Sequence, residues 1–162
     1  MIFLTPEQAK AKLQEEQKRF FIGQEKEFEE YVLKNLDDIC RGLSLPPALR
    51  VIQQLRKDLP TFSIRPDVFV VHADMTTSVF EIKCSNAKYP STGVSEQCKS
   101  IGQLLLYKSV LTELNGASPR IFLVDQKIYF RTVCVFSEMQ LPITLIEIQD
   151  DVVFVPYMHH TV

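Results

Sequence analysis

The chain has 162 residues, 46% of them hydrophobic and 23% charged, with a formal net charge of −2. That balance excludes an intrinsically disordered chain, and the length suits one domain with a proper buried core. No apolar run approaches the roughly 20 residues of a membrane span, and the first residues lack the basic and apolar blocks of a signal peptide. Cys40, Cys84, Cys98 and Cys134 stand apart without a CxxC or His-Cys cluster, so they read as free thiols and give no support for an iron–sulfur cluster. A reducing, cytoplasmic setting is expected. A mildly acidic total also disfavours a grip on nucleic acid by bulk charge alone, although a local basic patch is compatible with it.

In chain order, Thr5-Pro6-Glu7-Gln8 predicts a helix start: Thr5 as N-cap, Pro6 at the first position and Gln8 completing a capping box. Residues 1–22 then read as a peripheral helix whose thin stripe of Ala9, Leu13 and Phe20 packs lightly on the body or against a second subunit. The main domain spans 23–162. Its first element is an amphipathic helix with Phe28, Val32, Leu36 and Ile39 on one face. Glu25 falls on that stripe and Glu29 at its edge; both also suit the positive end of a helix dipole. After the Ser44–Pro47 turn, residues 48–59 read as a short helix carrying Arg50, Arg56 and Lys57, stopped by Pro60.

Residues 65–85 are the stretch that organises the rest. They read as two apolar strands, 67–72 and 78–84, joined by a polar turn. Alternation puts Phe80, Ile82 and Cys84 on one face of the second strand, and Val79, Glu81 and Lys83 on the other. Charges in so apolar a run are costly without partners. Asp67, at the mouth of the first strand, adds a second carboxylate. Two carboxylates and a lysine at one point are either a divalent-metal site for phosphodiester hydrolysis or a structural ion-pair cluster.

A polar loop follows, with Lys88 and Tyr89 at its centre, then a helix over 94–114 ending at Asn115-Gly116. On that helix Lys99, Gln103 and Tyr107 recur every four residues along one face. Residues 119–125 form an apolar strand of the buried kind. The composition of 127–139 favours a strand. Residues 143–148 and 152–157 read as a closing hairpin, and His159-His160 as a frayed tail.

Pro66-Asp67, followed after the hairpin by Glu81-x-Lys83, resembles the core motif of the PD-(D/E)XK nuclease superfamily, the restriction-endonuclease-like fold. Gln103 and Tyr107 in IGQLLLYKSVL resemble the helix motif that follows this core in several branches, nearest in flavour to the resolvase-like, RecB-like and NucS-like nucleases. The resemblance extends over roughly residues 23 to 150 in element order, although only a handful of residues carry it. It implies an α/β fold, a mixed sheet flanked by helices, and turns the reading of 127–139 toward helix. It further implies Mg²⁺ or Mn²⁺ held by Asp67, Glu81 and the Ile82 carbonyl, with Glu25 (or Glu29) completing the shell. Lys83 would position the attacking water, Gln103 would orient Lys83, and Tyr107 would support it. Lys88, Tyr89, Lys99 and Tyr107 would meet the substrate, a nucleic acid with DNA favoured. A homodimer or larger complex is compatible with this reading. The competing readings are a nuclease-fold module that no longer cleaves, and a protein-interaction domain with a structural charge cluster.

Overall fold

A computed structural model of the chain describes residues 2–5, 7–8, 25–60, 62–85, 90–149 and 151–159. Its strands are β1 (Ile2–Leu4), β2 (Ala48–Gln53), β3 (Lys57–Asp58), β4 (Ser63–Ile64), β5 (Val68–His72), β6 (Thr77–Lys83), β7 (Arg120–Asp125), β8 (Thr144–Gln149) and β9 (Val152–Tyr157). Its helices are α1 (Glu25–Lys34), α2 (Leu36–Gly42), α3 (Pro90–Asn115) and α4 (Phe130–Glu138). Seven strands form one mixed sheet in the order β1-β9-β8-β7-β6-β5-β2, and β3 and β4 make a separate small ladder. The β6, β7 and β8 strands run parallel, whereas β5 runs antiparallel to β6, and β9 to β8.

Strand alternation divides the apolar residues between two cores. Phe69, Val79, Leu123 and Leu145 face α3 and α4, with Leu104, Leu111 and Phe136 packed on them. Val70, Phe80, Val124 and Ile146 face α1 and α2, where Phe28, Val32 and Ile39 cover them. The molecule is therefore layered helix–sheet–helix, as the resemblance implied at the level of fold class. Both parallel connections, β6–α3–β7 and β7–α4–β8, place their helices on the same face. The 130–138 segment is helical, so its β-branched content yields to the crossover that two adjacent parallel strands need.

Local signals in the chain explain several elements. Thr5 and Gln8 form the expected reciprocal cap, at 3.0 and 3.3 Å; residues 9–22 of the expected peripheral helix lie outside the described residues. The first amphipathic stretch is two helices that meet at Asn35, whose backbone leaves helical angles (φ −103°, ψ 11°). Its N–H is shared between the Tyr31 and Val32 carbonyls, and its side-chain amide also donates to Tyr31. Gly116 ends α3 with φ +72°, a conformation that glycine adopts without strain.

Two expected elements are different. Residues 2–4, expected within the peripheral helix over 1–22, form strand β1, paired in parallel with β9 at one edge of the main sheet. Residues 48–53 are an antiparallel edge strand paired with β5, not a helix. His72 supplies the reason: its Nδ1–H donates to the Pro46 carbonyl at 2.7 Å, which leaves Nε2 to accept from the Ser78 hydroxyl at 2.7 Å. Ala73 N–H then meets the Pro47 carbonyl at 2.9 Å. The chain is thus delivered to the open edge of β5, and Gln54, at φ 49°, ends the strand.

Candidate functional site

The β5–β6 register pairs Val68 with Phe80. Continued by one residue, it sets Asp67 opposite Glu81 on the α3 side of the sheet, within the spacing of a cross-strand pair. Asp67 Oδ2 accepts the Ile82 N–H at 2.9 Å, and Oδ1 accepts Gln54 Nε2 at 3.1 Å. Glu81 is only 3% exposed. Its Oε1 accepts Lys83 Nζ at 2.7 Å, whereas its Oε2 is buried with no hydrogen-bond partner among the described residues. An orphaned carboxylate oxygen in such a place is costly and calls for a ligand.

Electrostatics tie four groups together. Burial raises the Glu81 pKa, the Asp67 charge adds to that, and Lys83 only partly offsets them; Glu25 raises it further. For Lys83, burial works against the ammonium, but the bond to Glu81 and the charges of Glu81, Asp67 and Glu25 outweigh it, so its pKa rises. Lys83 is therefore a fixed cation at neutral pH. A cleft of about 300 Å³ opens beside it, between Glu25, Lys83–Ser85 and the first turns of α3 at Thr92, Gly93 and Glu96. Glu25 is thus the α1 carboxylate whose charge bears on the cluster, while Glu29 lies half-buried one turn further on.

The α3 residues fall differently from expectation. Gln103 is exposed and forms no hydrogen bond to Lys83, whose ammonium is held by Glu81 instead. Tyr107 is buried, 6% exposed, with its hydroxyl 3.4 Å from the Arg65 carbonyl. Burial, then the charges of Glu81 and Asp67, push its pKa up to about 12. It packs behind the cluster and is not presented to a substrate. Lys99 is exposed and paired with Glu96 on its own helix at 2.6 Å. Lys88 and Tyr89 lie outside the described residues.

The polar residue that α3 does send into the protein is Gln97, fully buried. Its Nε2 donates to Asp125 Oδ2 at 2.8 Å and to the Lys127 carbonyl, and its Oε1 accepts from Thr132 Oγ1 at 2.7 Å and Tyr129 N at 3.3 Å. Asp125 pairs in register with Lys83 across β6–β7. It accepts the Ser85 N–H at 2.8 Å and the Ser85 hydroxyl as well. Burial pushes its pKa up to about 6 against these bonds, which pull the other way. The network locks the exit of β6, just beyond Lys83, to β7 and to the first turns of α3. Close packing there is strict, because a Cβ on Gly93 would meet the Tyr129 ring at 2.2 Å. Asp125 had a signal in the sequence, a charge closing an apolar parallel strand, where ligand-facing residues of α/β sheets gather.

Two oxygen-donor carboxylates suit Mg²⁺ or Mn²⁺, which take one or two protein carboxylates and keep several waters. The orphaned Glu81 Oε2 beside Asp67 fits that group. Among the described residues, no set of three or more His, Cys, Asp or Glu side chains is arranged to hold a metal ion. No helix among them is long and apolar enough to cross a membrane. No protein-family model matches the chain, and a search of curated proteins finds no match.

Proposed function

We propose that the protein is a Mg²⁺- or Mn²⁺-dependent nuclease that hydrolyses phosphodiester bonds, with DNA the favoured substrate. The observation that carries this reading is the buried, unpartnered Glu81 Oε2, set opposite Asp67 and beside the Lys83 cation. Asp67 and Glu81, with the Ile82 carbonyl and Glu25 at the margin, would hold the ion. When bound, it supplies Lewis acidity and a bound water acidic enough to act near neutral pH. Lys83, fixed as an ammonium, orients the attacking water and offsets the negative charge that grows on the phosphoryl oxygens. Tyr107 and the Asp125–Ser85–Gln97 network hold the strand ends that carry these groups.

A second reading, a nuclease-fold module that binds or assembles without cleaving, is favoured by one feature. Both Asp67 oxygens and one Glu81 oxygen already have protein partners. Cleavage assays separate the two, and thermal melts of wild type and Asp67→Asn, each in EDTA and in Mn²⁺, separate a metal site from a purely structural ion-pair cluster. The nuclease reading expects Mn²⁺ to raise the wild-type melting temperature and not that of Asp67→Asn. In EDTA the variant should stay close to wild type, because relieved carboxylate repulsion offsets the one acceptor that Asn loses toward Gln54 or the Ile82 N–H. A structural cluster expects no Mn²⁺ effect and a loss of about 3–5 kcal/mol in the variant. Cleavage assays on duplex, branched, nicked and single-stranded DNA and on RNA then define the substrate.

A further inference from the structure

At the end of the sheet away from Glu81, a cavity of about 350 Å³ opens around the start of β7. Arg120 begins this strand and Asp125 ends it, so a rise of ~3.3 Å per residue sets the two ends roughly 17 Å apart. The cavity is as large as many small-molecule sites, and Ser44, Lys108, Ser118, Arg120, Thr144 and His159 provide its polar wall. No aspartate or glutamate lines it, in a chain where acids outnumber Lys and Arg by 20 to 18.

Lys108 is half-buried, and its Nζ reaches one acceptor, the Pro119 carbonyl at 3.3 Å. Among the described residues it forms no ion pair. Burial keeps its pKa below the ordinary lysine value. An ammonium has three donors, so a half-buried one with a single long bond to a neutral carbonyl has donors free to meet an anion. Arg120 leans toward the β5–β6 turn, donating to Thr76 Oγ1 at 3.4 Å, with its charge felt by Asp74. That contact uses a small part of the guanidinium fork. Leu45, Phe122 and Met158 add an apolar wall beside the two cations.

We infer that this cavity is a second ligand site, one that takes a small organic anion: a phosphate or carboxylate head held by Lys108 and Arg120, with an apolar or aromatic body against Leu45, Phe122 and Met158. The inference is independent of the nuclease reading, since none of these residues belongs to the Asp67–Glu81–Lys83 cluster.

Titration of the full chain with phenyl phosphate, benzoate and neutral benzyl alcohol, followed by amide NMR shifts and calorimetry, tests it. Expected are saturable shifts at Ser118–Phe122 and Thr144 with at least one of the two anions, and the stronger anion identifies the head group. Lys108→Met should weaken that binding about tenfold, the scale of one charge-assisted hydrogen bond. Should Lys108→Met fail to fold, Ser118→Trp, at an exposed rim position, should block the cavity and abolish the shifts. The inference is overturned if neither anion saturates below about 10 mM, if benzyl alcohol binds as tightly as the anions, or if the variant that folds binds as wild type does.

Discussion

Glu81 and Asp125 are buried carboxylates at the same end of adjacent parallel strands, and they differ in what they leave open. Asp125 collects the Ser85 N–H and hydroxyl, the Gln97 amide and, at 3.5 Å, the Lys127 N–H, so both of its oxygens are spoken for. Among the described residues, Glu81 has one ammonium on Oε1 and nothing on Oε2. A carboxylate whose acceptors are filled by its own fold stabilises that fold. One with an open, buried oxygen costs stability, and a proton or a ligand relieves that cost.

The sharpest test of this contrast is Lys83→Ala. Cleavage should fall by about 10²–10³ or more, while Mn²⁺ affinity stays within a fewfold, because the lysine acts on water and phosphate and not on the ion. Parallel loss of metal binding, measured by calorimetry, would show that Lys83 only props up Glu81. The next effect concerns stability. Asp125→Ala strands the Ser85 and Gln97 donors in a dry interior, and urea unfolding should register a loss of about 3 kcal/mol or more. A loss under 1 kcal/mol would mean that water replaces the carboxylate and that the network is no anchor.

The same residue gives a pH signature. Free aspartate releases its proton near 3.8, and folded Asp125 holds it to about 6. Between these values the folded state binds the extra proton, so this group's contribution to stability falls as pH rises, by about 3 kcal/mol in all. Glu81, also raised, acts in the same direction. Comparing wild type with Asp125→Asn from pH 3.5 to pH 7 by urea unfolding should show the decline reduced in the variant; identical profiles would dissociate Asp125 from it. The smallest effect belongs to Gln103→Ala. An exposed residue without a bond to Lys83 should change stability by no more than about 0.5 kcal/mol, and a melt shift well beyond that would place it in the network after all.

Much of the β5–β6 hairpin was legible because alternation works where both faces are buried: Glu81 and Lys83 share a side, and Asp67 joins them through register. The β2 strand was not legible, because an edge strand with Leu49 and Val51 exposed carries no clean alternation and borrows its conformation from His72 and β5. On α3 the apolar residues run around much of the helix, with Leu104 and Leu111 buried but Leu106 and Leu114 exposed. The stripe of Lys99, Gln103 and Tyr107 stands out by its spacing. With apolar residues on most sides of the helix, that spacing does not tell which polar residue enters the core, and it is Gln97 that does. Asp125 was passed over as the end of an apolar run, since its meaning depends on Ser85, forty residues earlier.

The pairing of β1 with β9 carries a consequence for the order of assembly. Ile2 meets Val152 in register, so this contact spans nearly the whole described chain. Closing so large a loop is entropically slow, and the parallel pair gains nothing until β9 has already docked on β8. The hairpin, the crossovers and both cores can form first, leaving β1 as a late-fastened clasp along one side of the sheet. Hydrogen exchange should reveal it as a separate opening unit: amides shared by β1 and β9 trading early, at low free energy, while those between β6 and β7 wait for global unfolding.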